Sequence, residues 1–156
     1  MERGTAEPDD PQRAIHLPYP PVARVRRVAD GETLRVGPLA LTAHLTPGHA
    51  PGGTTWTWRT CEGARCLDFV YADSQTPVSA PGYSFARSGG VAAFERGLAT
   101  IERLPCDVLV TPHPGASALG ERGAAGRIGD PTACRRYAAT AREALARRLA
   151  TERGGR

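Results

Sequence analysis

Two histidines, each lodged in a turn built from proline and glycine, are the residues of this chain best placed to do chemistry. His49 lies in TPGHAPGG, where Pro47, Gly48, Pro51, Gly52 and Gly53 break helix and strand alike and force an exposed loop. His113 recurs in the same setting, VLVTPHPGAS, where the short apolar run Val108 to Val110 ends in a proline-flanked turn. A neutral imidazole carried at the mouth of a strand can hold a metal. One such histidine is ordinarily a plain surface residue; with two of them, each delivered by a strand, the sequence around the pair decides between that reading and metal ligation. The chain has four histidines in all. His44, inside the apolar run Leu39 to Leu45, suits a core or supporting role, and His16, in IHLPYPP, reads as exposed. No HxH or DH pair occurs in the sequence.

The elements that must carry these loops follow from periodicity. Proline at positions 8, 11, 18, 20 and 21 discourages regular structure over residues 1–21. Strands are predicted at Val22 to Val28, Thr33 to Val36 and Leu39 to Leu45, the first two joined by an Asp30-Gly31 turn. A second hairpin is predicted from Thr54 to Thr60 and Cys66 to Ala72, in β-branched and aromatic sequence. After Pro81-Gly82 the period changes to about 3.6. Val91, Phe94, Leu98, Ile101 and Leu104 then share one helical face, Val108 to Val110 makes a buried strand, and Gly115 to Gly129 reads as glycine-rich loop. Asp130 can cap a last helix that begins at Pro131 and buries Cys134, Tyr137, Ala141, Leu145 and Leu149. Strands followed by helix, strand and helix define an α+β or layered α/β unit with helix packed on sheet.

Composition bounds the function. A chain of 156 residues is close to the modal size of one domain. Its 20 basic residues are all arginine, and the net charge is +4. The arginine clusters, Arg24, Arg26 and Arg27, then Arg135, Arg136, Arg142, Arg147 and Arg148, lack interleaved aromatics or a nucleic-acid motif and read as solvated faces, not as a nucleic-acid surface. The opening MERGTAEPDDPQRA is polar and acidic, with no apolar core of a signal peptide and no membrane span.

Three blocks taken in order, TAHLTPGHAPGGTTWTW, VYADSQTPVSAPGY and LPCDVLVTPHPGAS, resemble the C-terminal half of a class B metallo-β-lactamase of the third subclass. The resemblance runs from about Val22 to Glu152, with 1–21 an irregular N-terminal segment and 153–156 a tail. It implies a fold that is the second half of a four-layer αββα sandwich, with one sheet face left without its partner. It implies up to two zinc ions in the complete enzyme, His49 and His113 each supplying one ligand, and hydrolysis of a β-lactam amide, an activity that confers antibiotic resistance. The family's remaining ligands come from an HxHxDH motif that this sequence does not contain, so the chain alone is expected to be inactive, and a missing N-terminal half is the implied partner. No catalytic residue is assigned.

Within YADSQT the resemblance places Ser74 where a hydroxyl replaces a metal-ligating cysteine of other subclasses, and Thr76 where a second hydroxyl lies near the substrate carboxylate. An equally plain reading makes Asp73-Ser74 a turn-stabilising pair. In other hydrolases of the superfamily an aspartate at such a strand end bridges two metals, which leaves open a site of His49, Asp73 and His113. The resemblance also implies disulfides Cys61–Cys66 and Cys106–Cys134, worth roughly 2 and 3 to 4 kcal/mol in the chain-entropy model, and hence an oxidising compartment such as the periplasm. A four-cysteine zinc site is the rival, but the CxxC spacing it favours is missing. Two other functions remain beside the leading one: another hydrolase of the superfamily, such as a glyoxalase-type thioesterase, and a non-catalytic truncated remnant.

Overall fold

A computed structural model describes residues 2–154. The first regular element is β1, Thr33–Val36, which turns through Gly37-Pro38 into β2, Leu39–Leu45, with Gly37 at a φ of +58° that suits glycine. β3, Thr54–Glu62, and β4, Arg65–Tyr71, form the second hairpin. β5, Val108–Val110, joins β4 in parallel and completes a five-stranded sheet in sequential order. The helices are α1, Phe85–Ser88; α2, Gly90–Arg103; α3, Pro114–Ser117; α4, Leu119–Ala124; and α5, Ala133–Gly154. Among the described residues no helix is long and apolar enough to cross a membrane.

The pairing register sorts the side chains into two faces. Thr42, Thr57, Val70 and Leu109 are successive partners on one face, and Val70 and Leu109 pack there against Ile101 of α2 and Ala133 and Cys134 of α5. A second cluster, Phe85, Phe94, Leu98, Ala138, Ala141 and Leu145, joins α1, α2 and α5 to one another. The opposite sheet face carries Trp56, Trp58, Phe69 and Tyr71, all half-buried, with Trp58 stacked on Phe69 at 5.2 Å. Leu39 and Leu45 stand exposed on it. Neither buried cluster draws on this face. Helices thus cover one side of the sheet, and an apolar, aromatic side lies opposite.

Three expectations need correction. Val22 to Val28 is irregular, not a strand. Its valines, Val22, Val25 and Val28, recur at every third position and cannot line one pleated face. The Asp30-Gly31 turn does form, but it feeds the chain into β1: Gly31 N–H donates to Ala43 O and Ala43 N–H to Glu32 O. Gly115 to Gly129 is not all loop, because α3 and α4 occupy most of it. Ala116, Leu119 and Ala124 favour helix, and Pro114 stands in the first turn of α3, where its missing N–H costs nothing. The arginines of α5 are not simply solvated: Arg142 crosses to Glu95 and Glu102 of α2, and Arg148 pairs with Glu152.

Other readings hold. α2 buries Phe94, Leu98 and Ile101, and α5 buries Cys134, Ala141 and Leu145, with Tyr137 and Leu149 partly buried. The Asp130 carboxylate accepts from Thr132 N–H at 2.9 Å just ahead of α5, which begins at Ala133 and not at the expected Pro131. Arg136 and Thr132 beside it hold that carboxyl far below the usual carboxylate range. Both disulfides form, Cys61–Cys66 across the tip of the β3–β4 hairpin and Cys106–Cys134 between the entry to β5 and α5. Of the tail Gly154-Gly155-Arg156, expected to fray, Gly154 is the last residue of α5, and Gly155 and Arg156 lie outside the described residues.

Candidate metal and substrate site

The loop that carries His49 is closed at its stem. Thr46 N–H donates to Gly53 O at 2.8 Å, and the buried Thr46 and Thr55 hydroxyls meet at 2.9 Å. The loop rests directly on α2: a Cβ at Gly97 would fall 2.8 Å from Pro47 O, and one at Gly48 would fall 2.9 Å from the Phe94 ring. Only the absence of side chains lets backbone and helix approach this closely.

The His49 ring is fixed at both nitrogens. Nδ1 lies 2.9 Å from Thr76 O and 3.0 Å from the Thr76 hydroxyl. A carbonyl can only accept, so Nδ1 carries the proton and donates to it. The lone pair is then on Nε2, where the Gln12 side-chain amide donates at 3.0 Å. A metal-binding histidine usually ties its other ring N–H to a carbonyl in this way. Gln12 is held by Pro11, a buried residue whose carbonyl accepts from Ala80 N–H.

Asp73 to Thr76 leave the end of β4 and form the next wall. Asp73 Oδ1 accepts from Ser74 N–H at 2.8 Å, and the Ser74 and Thr76 hydroxyls lie 3.1 Å apart. The turn-stabilising pair and the two-hydroxyl arrangement therefore coexist. Gln75 between them is buried, and its Nε2 donates to Thr46 O. Tyr137 reaches across from α5, accepting from Gln75 N–H and donating to Asp73 O, both at 3.0 Å. Burial pushes the Tyr137 hydroxyl up to about 12, so it stays protonated and able to donate.

His113 follows β5 and is exposed. Its carbonyl accepts from the Thr111 hydroxyl and from Ala116 N–H, but among the described residues nothing hydrogen-bonds its ring. His113, Ser74, Thr76, Thr111 and Tyr137 all line one cavity of about 430 Å³ between the sheet edge, α3 and α5. His49 reaches that cavity through Thr76. His44 lies on β2 and bonds the Thr57 hydroxyl at 2.9 Å, a cross-strand role, and His16 is exposed. Among the described residues no group of three or more His, Cys, Asp and Glu side chains converges. The candidate set of His49, Asp73 and His113 is therefore not assembled, and the Asp73 carboxylate is spent on its neighbour's N–H. The residues present do not by themselves fit a zinc ion.

Three residues of this constellation escaped sequence reasoning. Gln12 sits in a segment with no periodic signal. Gln75 had a signal in its place between two hydroxyls, and Tyr137 was visible as part of a buried stripe but not as a donor to a turn far away in sequence.

The chain matches no family profile. Among solved structures it is similar to the Rm3 metallo-β-lactamase, with 46% identity and a TM-score of 0.92 over 97% of this chain and 60% of that one. It is similar to MEM-A1, a subclass B3 metallo-β-lactamase from a soil metagenome library, with 37% identity and a TM-score of 0.94 over 99% of this chain and 62% of that one. A metallo-β-lactamase of Novosphingobium pentaromativorans, MIM-1, matches with 42% identity and a TM-score of 0.91 over 98% and 57% respectively. The mixed five-stranded sheet with its helices is part of the metallo-β-lactamase sandwich. Nearly the whole chain is thus similar to subclass B3 metallo-β-lactamases, and it spans about 60% of the length of the structures it matches.

Proposed function

We propose that this chain carries the substrate-side portion of a zinc-dependent β-lactam hydrolase and does not turn over substrate alone. His49 and His113 each supply one ligand, and the others come from an HxHxDH segment outside this sequence. The observation that carries the reading is the His49 ring, whose Nδ1–H is held by Thr76 O and whose Nε2 lone pair, here accepting from the Gln12 amide, would face a metal once Gln12 gives way. Ser74 and Thr76 present hydroxyls at the cavity shared with His113, where they would orient an anionic group of the substrate. The aromatic sheet face opposite the helices is where the second sheet of the sandwich would pack. Two disulfides suit an oxidising compartment, the periplasm by family.

A chromogenic cephalosporin assay on the purified chain with excess zinc tests the proposal. No turnover is expected, because one imidazole per site cannot hold a zinc that ordinarily needs three protein ligands. Adding the N-terminal portion of a relative that bears HxHxDH should restore turnover that a chelator, His49→Ala or His113→Ala removes. Chelator-sensitive turnover by the chain alone would overturn the proposal. Hydrolysis of a thioester in place of the cephalosporin by the complemented assembly would favour a glyoxalase-type enzyme, and neither activity would favour a non-catalytic remnant.

A further inference from the structure

The Asp73 to Thr76 turn holds Ser74, Thr76 and, through Thr76, His49, yet no backbone ladder holds the turn. Among the described residues its main-chain groups find partners in side chains: Ser74 N–H in the Asp73 carboxylate, Asp73 O and Gln75 N–H in the Tyr137 hydroxyl, and Thr76 O in the His49 ring. We infer that Tyr137 is a positioning residue for the His49–Thr76 pair, an assignment that rests on the reading of His49 as a ligand.

One hydroxyl accepts from Gln75 N–H and donates to Asp73 O, so it straddles Ser74 and fixes the turn on both sides. The next residue along is Thr76, whose carbonyl selects the His49 tautomer. A second arm leaves the same turn: the buried Gln75 amide donates to Thr46 O at the stem of the His49 loop. The amide orientation is forced, since Thr46 O can only accept, and it leaves Gln75 Oε1 without a partner. The turn is thus pinned to α5 on one side and to the His49 loop on the other. α5 is itself anchored one turn earlier by Cys134, bonded to Cys106, and one residue later by the fully buried Ala138. The stripe around Tyr137 is apolar, so a phenylalanine would fill the same space, and the hydroxyl serves the turn alone.

The test uses the full chain, isotope-labelled and metal-free, as wild type, Tyr137→Phe and Leu149→Ala. Leu149 packs on the second cluster, at the far end of α5. Long-range proton–nitrogen correlation spectra read the His49 tautomer, and hydrogen exchange reads the Gln75 and Thr76 amides. The wild type should show a single Nδ1–H tautomer. Tyr137→Phe should mix the tautomers and speed Gln75 exchange at least tenfold, while Leu149→Ala lowers the melting temperature and leaves both readouts in place. An unchanged tautomer and unchanged exchange in Tyr137→Phe, or equal changes in both variants, would overturn the assignment. If Tyr137→Phe does not fold, the wild type decides: a Gln75 amide that exchanges as fast as the exposed Gly52 amide sinks the clamp. Because these readouts need no metal, they are settled separately from zinc ligation, which the complementation assay decides.

Discussion

His49 and His113 look alike in sequence, each flanked by prolines in a turn after a strand, but the fold treats them differently. The His49 ring is gripped at both nitrogens, and its loop is closed by a threonine stem and seated on α2. The His113 ring is exposed and unbonded among the described residues, while its strand is tied covalently, β5 following directly on the Cys106–Cys134 bridge to α5. One loop is ordered by packing and hydrogen bonds. The other relies on a tether at its strand, and its side chain keeps its rotational freedom until something binds it. Two histidines in like turns can therefore be held to different degrees within a single chain.

Removing the tether should break this contrast with the largest effect. Cys106→Ala with Cys134→Ala should lower unfolding free energy by about 3 to 4 kcal/mol, read by denaturant titration. Hydrogen exchange should quicken across Val108 to His113 more than across Thr46 to Gly53. Equal quickening in both loops would mean that the bridge orders the whole site and that the contrast is not real.

Gly97→Ala probes the opposite loop. Alanine gains about 1 kcal/mol of helix propensity over glycine, but here its methyl would meet Pro47 O at 2.8 Å, and backbone cannot swing away as a side-chain tip would. A net loss of about 2 kcal/mol is expected, with chemical-shift changes concentrated at His49 and absent at His113. A stabilised variant would show that the loop yields freely and is not seated.

Glu152 offers a control distant from both histidines. Burial raises its pKa, but hydrogen bonds from Ala86 N–H, Arg148, the Ser84 hydroxyl and Phe85 N–H outweigh that and hold it at about 2. A depressed carboxylate stabilises the fold above its unfolded pKa, near 4.5, and the contribution is lost as pH falls through about 2. Glu152→Gln should cost about 1 to 2 kcal/mol near neutral pH, and the gap from wild type should close over that acid window. A gap independent of pH would assign the loss to packing instead of charge.

The two histidine turns, the β3–β4 hairpin, the amphipathic face of α2 and the buried stripe of α5 are legible in the sequence, because each is written in local period and turn chemistry. The sequence also carried three blocks distinctive enough to point to the family and its paired cysteines. It misjudged Val22 to Val28, where β-branched residues without alternation have no face to bury, and Gly115 to Gly129, where alanine and leucine between glycines still make helical turns. The folded chain alone reveals that His49 holds its proton on Nδ1 against Thr76, that Gln12 meets Nε2, and that Tyr137 bonds both sides of the turn that carries Thr76. Those facts depend on contacts between groups far apart in sequence, and no local pattern encodes a hydrogen bond whose donor and acceptor meet only when helix α5 is laid against the sheet.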